Sequence, residues 1–188
     1  MKTTLNQSEK EFIKIASIRF DDIFDEVMDS DIFWKQNDWY RFSKTKEALM
    51  VYSELLKSEQ IKLIIKDMQK KRPTVIKIAD DFACFIRNII IHFPLFESWN
   101  EVWISKLIVN WNKKHQRIDK FLEENRGKQF CEFEFMPDTQ KQQIYNLKIN
   151  FPKKYDGKSV IYLKEMIPEK EGVIFLFILM NYVLGKLN

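Results

Sequence analysis

The sequence predicts a mainly α-helical bundle that closes with a small antiparallel β appendage and a final apolar helix. Three observations carry this expectation. Between Ser8 and Glu124, apolar residues recur at three- and four-residue spacing, the period of a helix with one buried face. Between Cys131 and Phe151 the period drops to two, that of strands. Val173 to Leu184 is apolar almost throughout, as a helix buried on all sides would be.

Ser8 followed by Glu11 reads as a capping box, after which Phe12, Ala16, Phe20, Ile23 and Val27 form one stripe, so the first helix is placed from Ser8 to about Asp29. Asp31 to Tyr40, with Phe33, Trp34, Trp39 and Tyr40, is aromatic but aperiodic and is read as a packed connector. A second helix is placed over Ser43–Lys57, and a third restarts at Ser58 with Ile61, Ile64, Ile65 and Met68 and ends in Lys70-Lys71-Arg72. Pro73 suits the first turn of the next helix, where Ile78, Phe82, Phe85 and Ile89 make a stripe that Ile86 and Ile90 widen; this is read as the centre of the bundle.

Pro94 disfavours helix at Phe93, and Ser98 with Glu101 reads as the start of a long helix running to about Glu124, with Gly127 ending the helical region. Cys131, Phe133 and Phe135, then Tyr145, Leu147, Ile149 and Phe151, alternate with polar residues and predict two antiparallel strands. A third strand is placed within Ser159–Ile167, and Pro168 opens the last helix. Residues 1–127 are thus taken as the helical bundle, and 128–188 as the appendage and last helix on the same core.

Composition bounds the function classes. The chain has 188 residues, 45% of them hydrophobic and 14% aromatic, with four Gly and five Pro, which excludes a disordered or low-complexity polymer. Two cysteines without a partner pattern, Cys84 and Cys131, predict neither a disulfide framework nor a zinc site. Met1–Gln7 has no apolar run of a secretory signal, and Val173–Leu184, interrupted by Asn181, falls short of the roughly 18 residues of a membrane span, so a cytoplasmic chain without a membrane partner is expected. The net charge of +4 is compatible with a polyanion but does not demand one.

One stretch reads as chemistry: Arg87-Asn88-Ile89-Ile90-Ile91-His92, at the end of the most apolar of the bundle helices. A permanent cation and a titratable imidazole are unusual on a buried helix. Asn88 and His92 are one turn apart on the same stripe, and Arg87 can curl toward that edge. Together they offer a forked guanidinium for phosphate oxygens, a proton-transfer group active near neutrality and an amide to orient either. The structural alternative is that Arg87 pairs with Asp80 or Asp81 and that His92 caps a helix end.

An Arg, a polar residue, a few intervening residues and a His, late in a helical bundle, resemble the signature of HEPN ribonucleases. The resemblance covers Arg87, Asn88 and His92 and the helical part from about residue 7 to 125. It implies a HEPN-like bundle that forms a homodimer, with two motifs meeting in one composite cleft for single-stranded RNA. It further implies metal-independent cleavage by the ribose 2′-OH, with no cofactor, His92 in acid–base transfer and Arg87 stabilising the charged phosphorane. Asn88 would position the phosphate or the His92 ring. A toxin or phage-defence role, with an antitoxin or other partner protein, goes with that family. Pro94 stands where members silenced by a nucleotidyltransferase partner carry Tyr, so that form of silencing is not implied. The alternative function is a non-catalytic helical RNA- or protein-binding module of the same fold.

Other features are weaker. Lys113, Lys114 and Arg117, with Lys120 and the Lys70-Lys71-Arg72 cluster, could track an RNA backbone, although a solvated basic face has the same composition. Trp99, Trp103 and Trp111 fit a core better than a base-stacking platform, and Cys84 fits a buried filler. His115, set among charges, is expected to be exposed and outside the chemistry. Asp21-Asp22 and Asp80-Asp81 are adjacent pairs that diverge on a helix, so no metal site is assigned.

Overall fold

The computed structural model describes residues 5–71, 73–111, 115–137, 144–153, 155–156 and 159–185. The architecture is mainly helical with two small antiparallel sheets and an apolar C-terminal helix.

Helix α1 (Gln7–Met28) starts two residues upstream of the expected capping box. Asn6, in extended conformation, accepts a hydrogen bond from the Glu9 N–H, and the Glu9 carboxylate accepts one from the Asn6 N–H, both at 2.8 Å. Phe20, Ile23 and Val27 are buried as the periodicity predicts, whereas Phe12 lies 52% exposed, because the first turns extend past the body of the bundle. The expected connector is partly helical. Ser30–Phe33 forms the single turn α2, and α3 (Asp38–Leu55) begins at Asn37, whose side chain accepts from the Tyr40 N–H at 2.9 Å. An Asx cap outweighs the aperiodic aromatics that come after it.

Helices α4 (Glu59–Lys71) and α5 (Pro73–His92) fall where expected, Pro73 opening α5 and Pro94 lying just beyond its end. The long helix after Ser98 does not form. Ser98 does cap, its hydroxyl accepting from the Glu101 N–H at 3.2 Å, but the turn it starts is a 3-10 turn over Trp99–Glu101. Val102 is extended, and Trp103–Ser105 is strand β1, paired antiparallel with β4 (Val160–Tyr162). Val102, Trp103 and Ile104 are strand-favouring residues, and a distant strand completes the ladder that a local pattern cannot reveal. Ser105 then caps α6 (Lys106–Val109), and α7 (Gln116–Glu124) comes next. Gly127, at φ +82, takes the left-handed conformation that ends the helical region.

Strands β2 (Phe130–Phe135) and β3 (Tyr145–Asn150) pair antiparallel as expected, with Phe135, Leu147 and Ile149 buried. The third strand pairs with β1 and not with this hairpin, so there are two separate two-stranded sheets; the second half of the expected strand is the helical turn α8 (Leu163–Met166). The final helix α9 (Glu169–Leu184) packs against α1, α4, α5 and β3, which explains its apolar character on every face. Trp99 locks its entry: the indole N–H donates to the Ile167 carbonyl at 2.9 Å, and a Cβ on Gly172 would lie 3.0 Å from the ring. Among the described residues no helix is long and apolar enough to cross a membrane.

Candidate active site

Helix α5 holds the motif against α7. Phe85 stacks on Phe121 of α7 with ring centroids 4.3 Å apart, and His92, seven residues on, meets His115 at the head of α7 with centroids 5.4 Å apart. Asn88 falls three residues after Phe85 and four before His92, so helical geometry sets it on this same stripe facing α7. It is 4% exposed. Arg87 is half-buried beside it, and its guanidinium Nη2 donates to the Asn88 Oδ1 at 3.2 Å.

The structure therefore joins Arg87 to Asn88 and ends the same helix with His92. Of the structural alternative, Asp80 lies outside the described side chains, and the hydrogen bond described for Arg87 is to Asn88. The positive charge of His92 would sit at the carbonyl end of α5, where the helix dipole favours it.

His115 lies where the sequence reading did not place it. It is half-buried rather than exposed, and its ring lies against His92 and, at 4.8 Å between centroids, against Phe93. An uninterrupted helix through this region would have turned it to solvent among its charged neighbours. The expected helix is divided into α6, ending at Val109, and α7, starting at Gln116, and the sequence carries no Pro or Gly signal for that division. The one available hint was that the chain has two histidines and both can reach the end of α5. His115 occupies the N-cap position of α7 without making a side-chain cap. Such an end favours an anion.

Among the described residues, Asn88 Nδ2 and His115 Nδ1 are buried without a hydrogen-bond partner, and the Asp119 carboxylate and the Tyr155 hydroxyl are buried beside each other. Asp119 lies one turn after His115, on the same side of α7. Burial, reinforced by the Asp119 and Glu123 carboxylates, pushes the Tyr155 hydroxyl far above its ordinary value, so it stays a phenol. At the far end of α7, Lys106 Nζ and Arg126 Nη2 donate to Glu123 at 2.5 and 2.6 Å and hold that carboxyl below its usual range, while the Lys106 ammonium sits 5.2 Å from the Tyr155 ring centre.

Of the expected RNA-binding residues, Arg117 is exposed on the first turn of α7, and Lys113 and Lys114 lie outside the described residues, as does Arg72. Lys70 is exposed, and Lys120 is exposed beside Glu124 at 3.6 Å. Trp99 is buried, Trp103 is half-buried in β1 and Trp111 is 78% exposed, so the three do not form one surface. Cys84 and Cys131 are half-buried and form no disulfide among the described residues. Among the described residues no three His, Cys, Asp or Glu side chains are grouped to hold a metal ion. A surface depression of about 480 Å³ lies elsewhere, lined by Asp38, Trp39, Glu97 and Glu101 among others, and shares no residue with the motif.

No family model, curated protein or solved structure matches this chain.

Proposed function

We propose that the chain is a metal-independent endoribonuclease of HEPN type, acting on single-stranded RNA. The observation that carries this reading is the polar seam between α5 and α7, where the Arg87 guanidinium is anchored on buried Asn88 and His92 lies against His115 at an uncapped helix N-terminus. A phosphodiester placed there meets a fixed cation, helix N–H groups and an imidazole. In the cleavage, the ribose 2′-oxygen attacks the adjacent phosphorus as its proton is withdrawn, and the P–O5′ bond breaks as that oxygen gains a proton. The products are a 2′,3′-cyclic phosphate and a 5′-hydroxyl. His92 takes part in proton transfer, and Arg87 stabilises the added negative charge of the phosphorane. Single strands are the substrate because the in-line geometry of this attack is resisted by a duplex. The resemblance adds a two-fold homodimer in which two such seams line one RNA cleft.

Purified protein should cleave single-stranded RNA in EDTA and leave cyclic phosphate ends. His92→Ala and Arg87→Ala, each folded by circular dichroism, should lose at least about a hundredfold in rate. The burial of Asn88 favours a second reading, in which the Arg87–Asn88 pair is a structural brace in a non-catalytic RNA- or protein-binding module. Intact RNA pools bound equally well by wild type and His92→Ala would decide for that reading.

A further inference from the structure

We propose that His115 is the second proton-transfer residue of this site, so that each chain carries both the acid and the base of the cleavage. The inference rests on the ribonuclease reading above and assigns the two steps it left undivided. Cleavage needs two proton movements on opposite sides of phosphorus, one from the 2′-OH and one to the departing O5′, and two separate groups perform them best. The chain has two histidines. They come from separate elements, the last residue of α5 and the cap position of α7, and their ring centroids are 5.4 Å apart with planes at 44°. That spacing and tilt let both rings border one bound phosphate.

Their surroundings divide the labour. The carbonyl end of α5 stabilises positive charge on His92, which suits it to donate the proton to the leaving O5′. His115 then accepts the proton of the 2′-OH. Its Nδ1 is buried without a partner, and Oδ1 of Asp119, whose carboxylate lies beside the Tyr155 hydroxyl, is one helical turn away. The two atoms are not bonded to each other in the substrate-free chain. A small rotation joining them would fix the His115 tautomer with Nε2 as the base and steady the imidazolium that forms, making Asp119 a positioning residue. In this arrangement the dimer contributes the walls of the RNA cleft and not the second histidine.

The test compares ordinary RNA with RNA whose bridging 5′-oxygen at the cleavage site is replaced by sulfur, a leaving group that needs no proton. On ordinary RNA, His92→Ala and His115→Ala should each fall about a hundredfold or more. On the sulfur substrate, His92→Ala should recover to within about tenfold of wild type while His115→Ala stays low. His115→Gln should repeat the His115→Ala result and serves if the alanine variant does not fold. Mixing the two alanine variants should restore nothing, because each chain lacks one group of its own pair. Wild-type protein inactive on RNA would overturn both this inference and the ribonuclease reading. Active wild type would leave the reading standing, and His115→Ala within about threefold of it, recovery of His115→Ala on the sulfur substrate, or restoration on mixing would each overturn the inference alone.

Discussion

Replacing Asn88 by Leu separates what the seam contributes to folding from what it contributes to chemistry. The two side chains have the same number of heavy atoms and the same branching, and the position is 4% exposed, so leucine's apolar body suits it. The native amide leaves Nδ2 buried without a partner, an arrangement that costs about 1–3 kcal/mol. Leucine removes that cost and adds a methylene's worth of apolar contact, about 0.8 kcal/mol. Against this, the bond from Arg87 at 3.2 Å is lost, worth about 1 kcal/mol because the half-buried guanidinium can turn to water. The rounder methyl groups crowd the seam for about 1 kcal/mol more. The balance is a stabilisation of about 1 kcal/mol, a rise in Tm of about 2–4 °C for a chain of this size. Cleavage should move the other way, falling at least about tenfold as Arg87 loses its anchor. Thermal unfolding by circular dichroism and RNA cleavage by gel, on the same preparation, read both quantities. A fall in Tm of several degrees would refute the claim that the amide is a net burden to the fold. A raised Tm with undiminished cleavage would refute the claim that Asn88 anchors a catalytic arginine.

Two further predictions concern the scaffold. Arg41 of α3 grips Glu169 at the start of α9 through Nε and Nη2, at 3.1 and 2.9 Å, with both side chains nearly buried, so Glu169→Gln should cost about 2 kcal/mol and lower the urea midpoint without changing the slope. The loss stays below that of a fully orphaned charge because Asp38 still accepts from Arg41 at 2.7 Å. Glu26 is pushed up by burial, but the Tyr40 hydroxyl and the Lys44 ammonium outweigh this and hold its carboxyl below the ordinary value of 4.5. Its folded value being depressed, its stabilisation is complete above about pH 4.5 and is lost as pH falls through the lower folded value. Glu26→Gln should therefore be less stable than wild type at pH 7 by less than about 1 kcal/mol, the pair being partly exposed, and the two urea curves should converge as pH falls below that depressed value.

How much was legible in the sequence depended on whether the determining contacts were local. The burial stripe of α5 through Phe82, Phe85, Ile86, Ile89 and Ile90 was written in a 3.6-residue period, and the β2–β3 hairpin in a two-residue one, so both appeared as expected. Pro73, Pro94 and Gly127 marked boundaries through backbone constraints that need no partner. The largest failure was at a place where a distant element decides. Ser98 and Glu101 form a cap, but the conformation of the residues after a cap depends on whether the chain can pair, and Trp103–Ser105 pairs with Val160–Tyr162 nearly 60 residues away. Once that helix was broken, His115 could reach α5. Of the candidate site, the Arg87–Asn88–His92 motif was legible because it lies on one helix; His115 was not, because only the docking of α7 brings it there.

That docking also bears on why the seam retains its polar groups. Among the described residues, Asn88 Nδ2 and His115 Nδ1 are buried without partners at this seam, while Asp119 and Tyr155 are buried beside each other. The two at Asn88 and His115 cost about 1–3 kcal/mol each, a sizeable share of the net stability of an ordinary domain. Leucine or phenylalanine at these positions would continue the packing begun by Phe85 on Phe121 and would be the cheaper solution for folding alone. Orphaned groups scattered over a fold can be incidental, but Asn88 and His115 lie at one helix–helix seam, beside His92 and a half-buried arginine, and concentrate the instability where the chemistry is proposed. Each of these atoms lacks a partner that a phosphate oxygen, a ribose hydroxyl or the rotated neighbour could supply. A bound single-stranded oligonucleotide that fits should therefore raise the Tm of wild type, and raise it less in Asn88→Leu, which has no orphaned amide for the ligand to relieve.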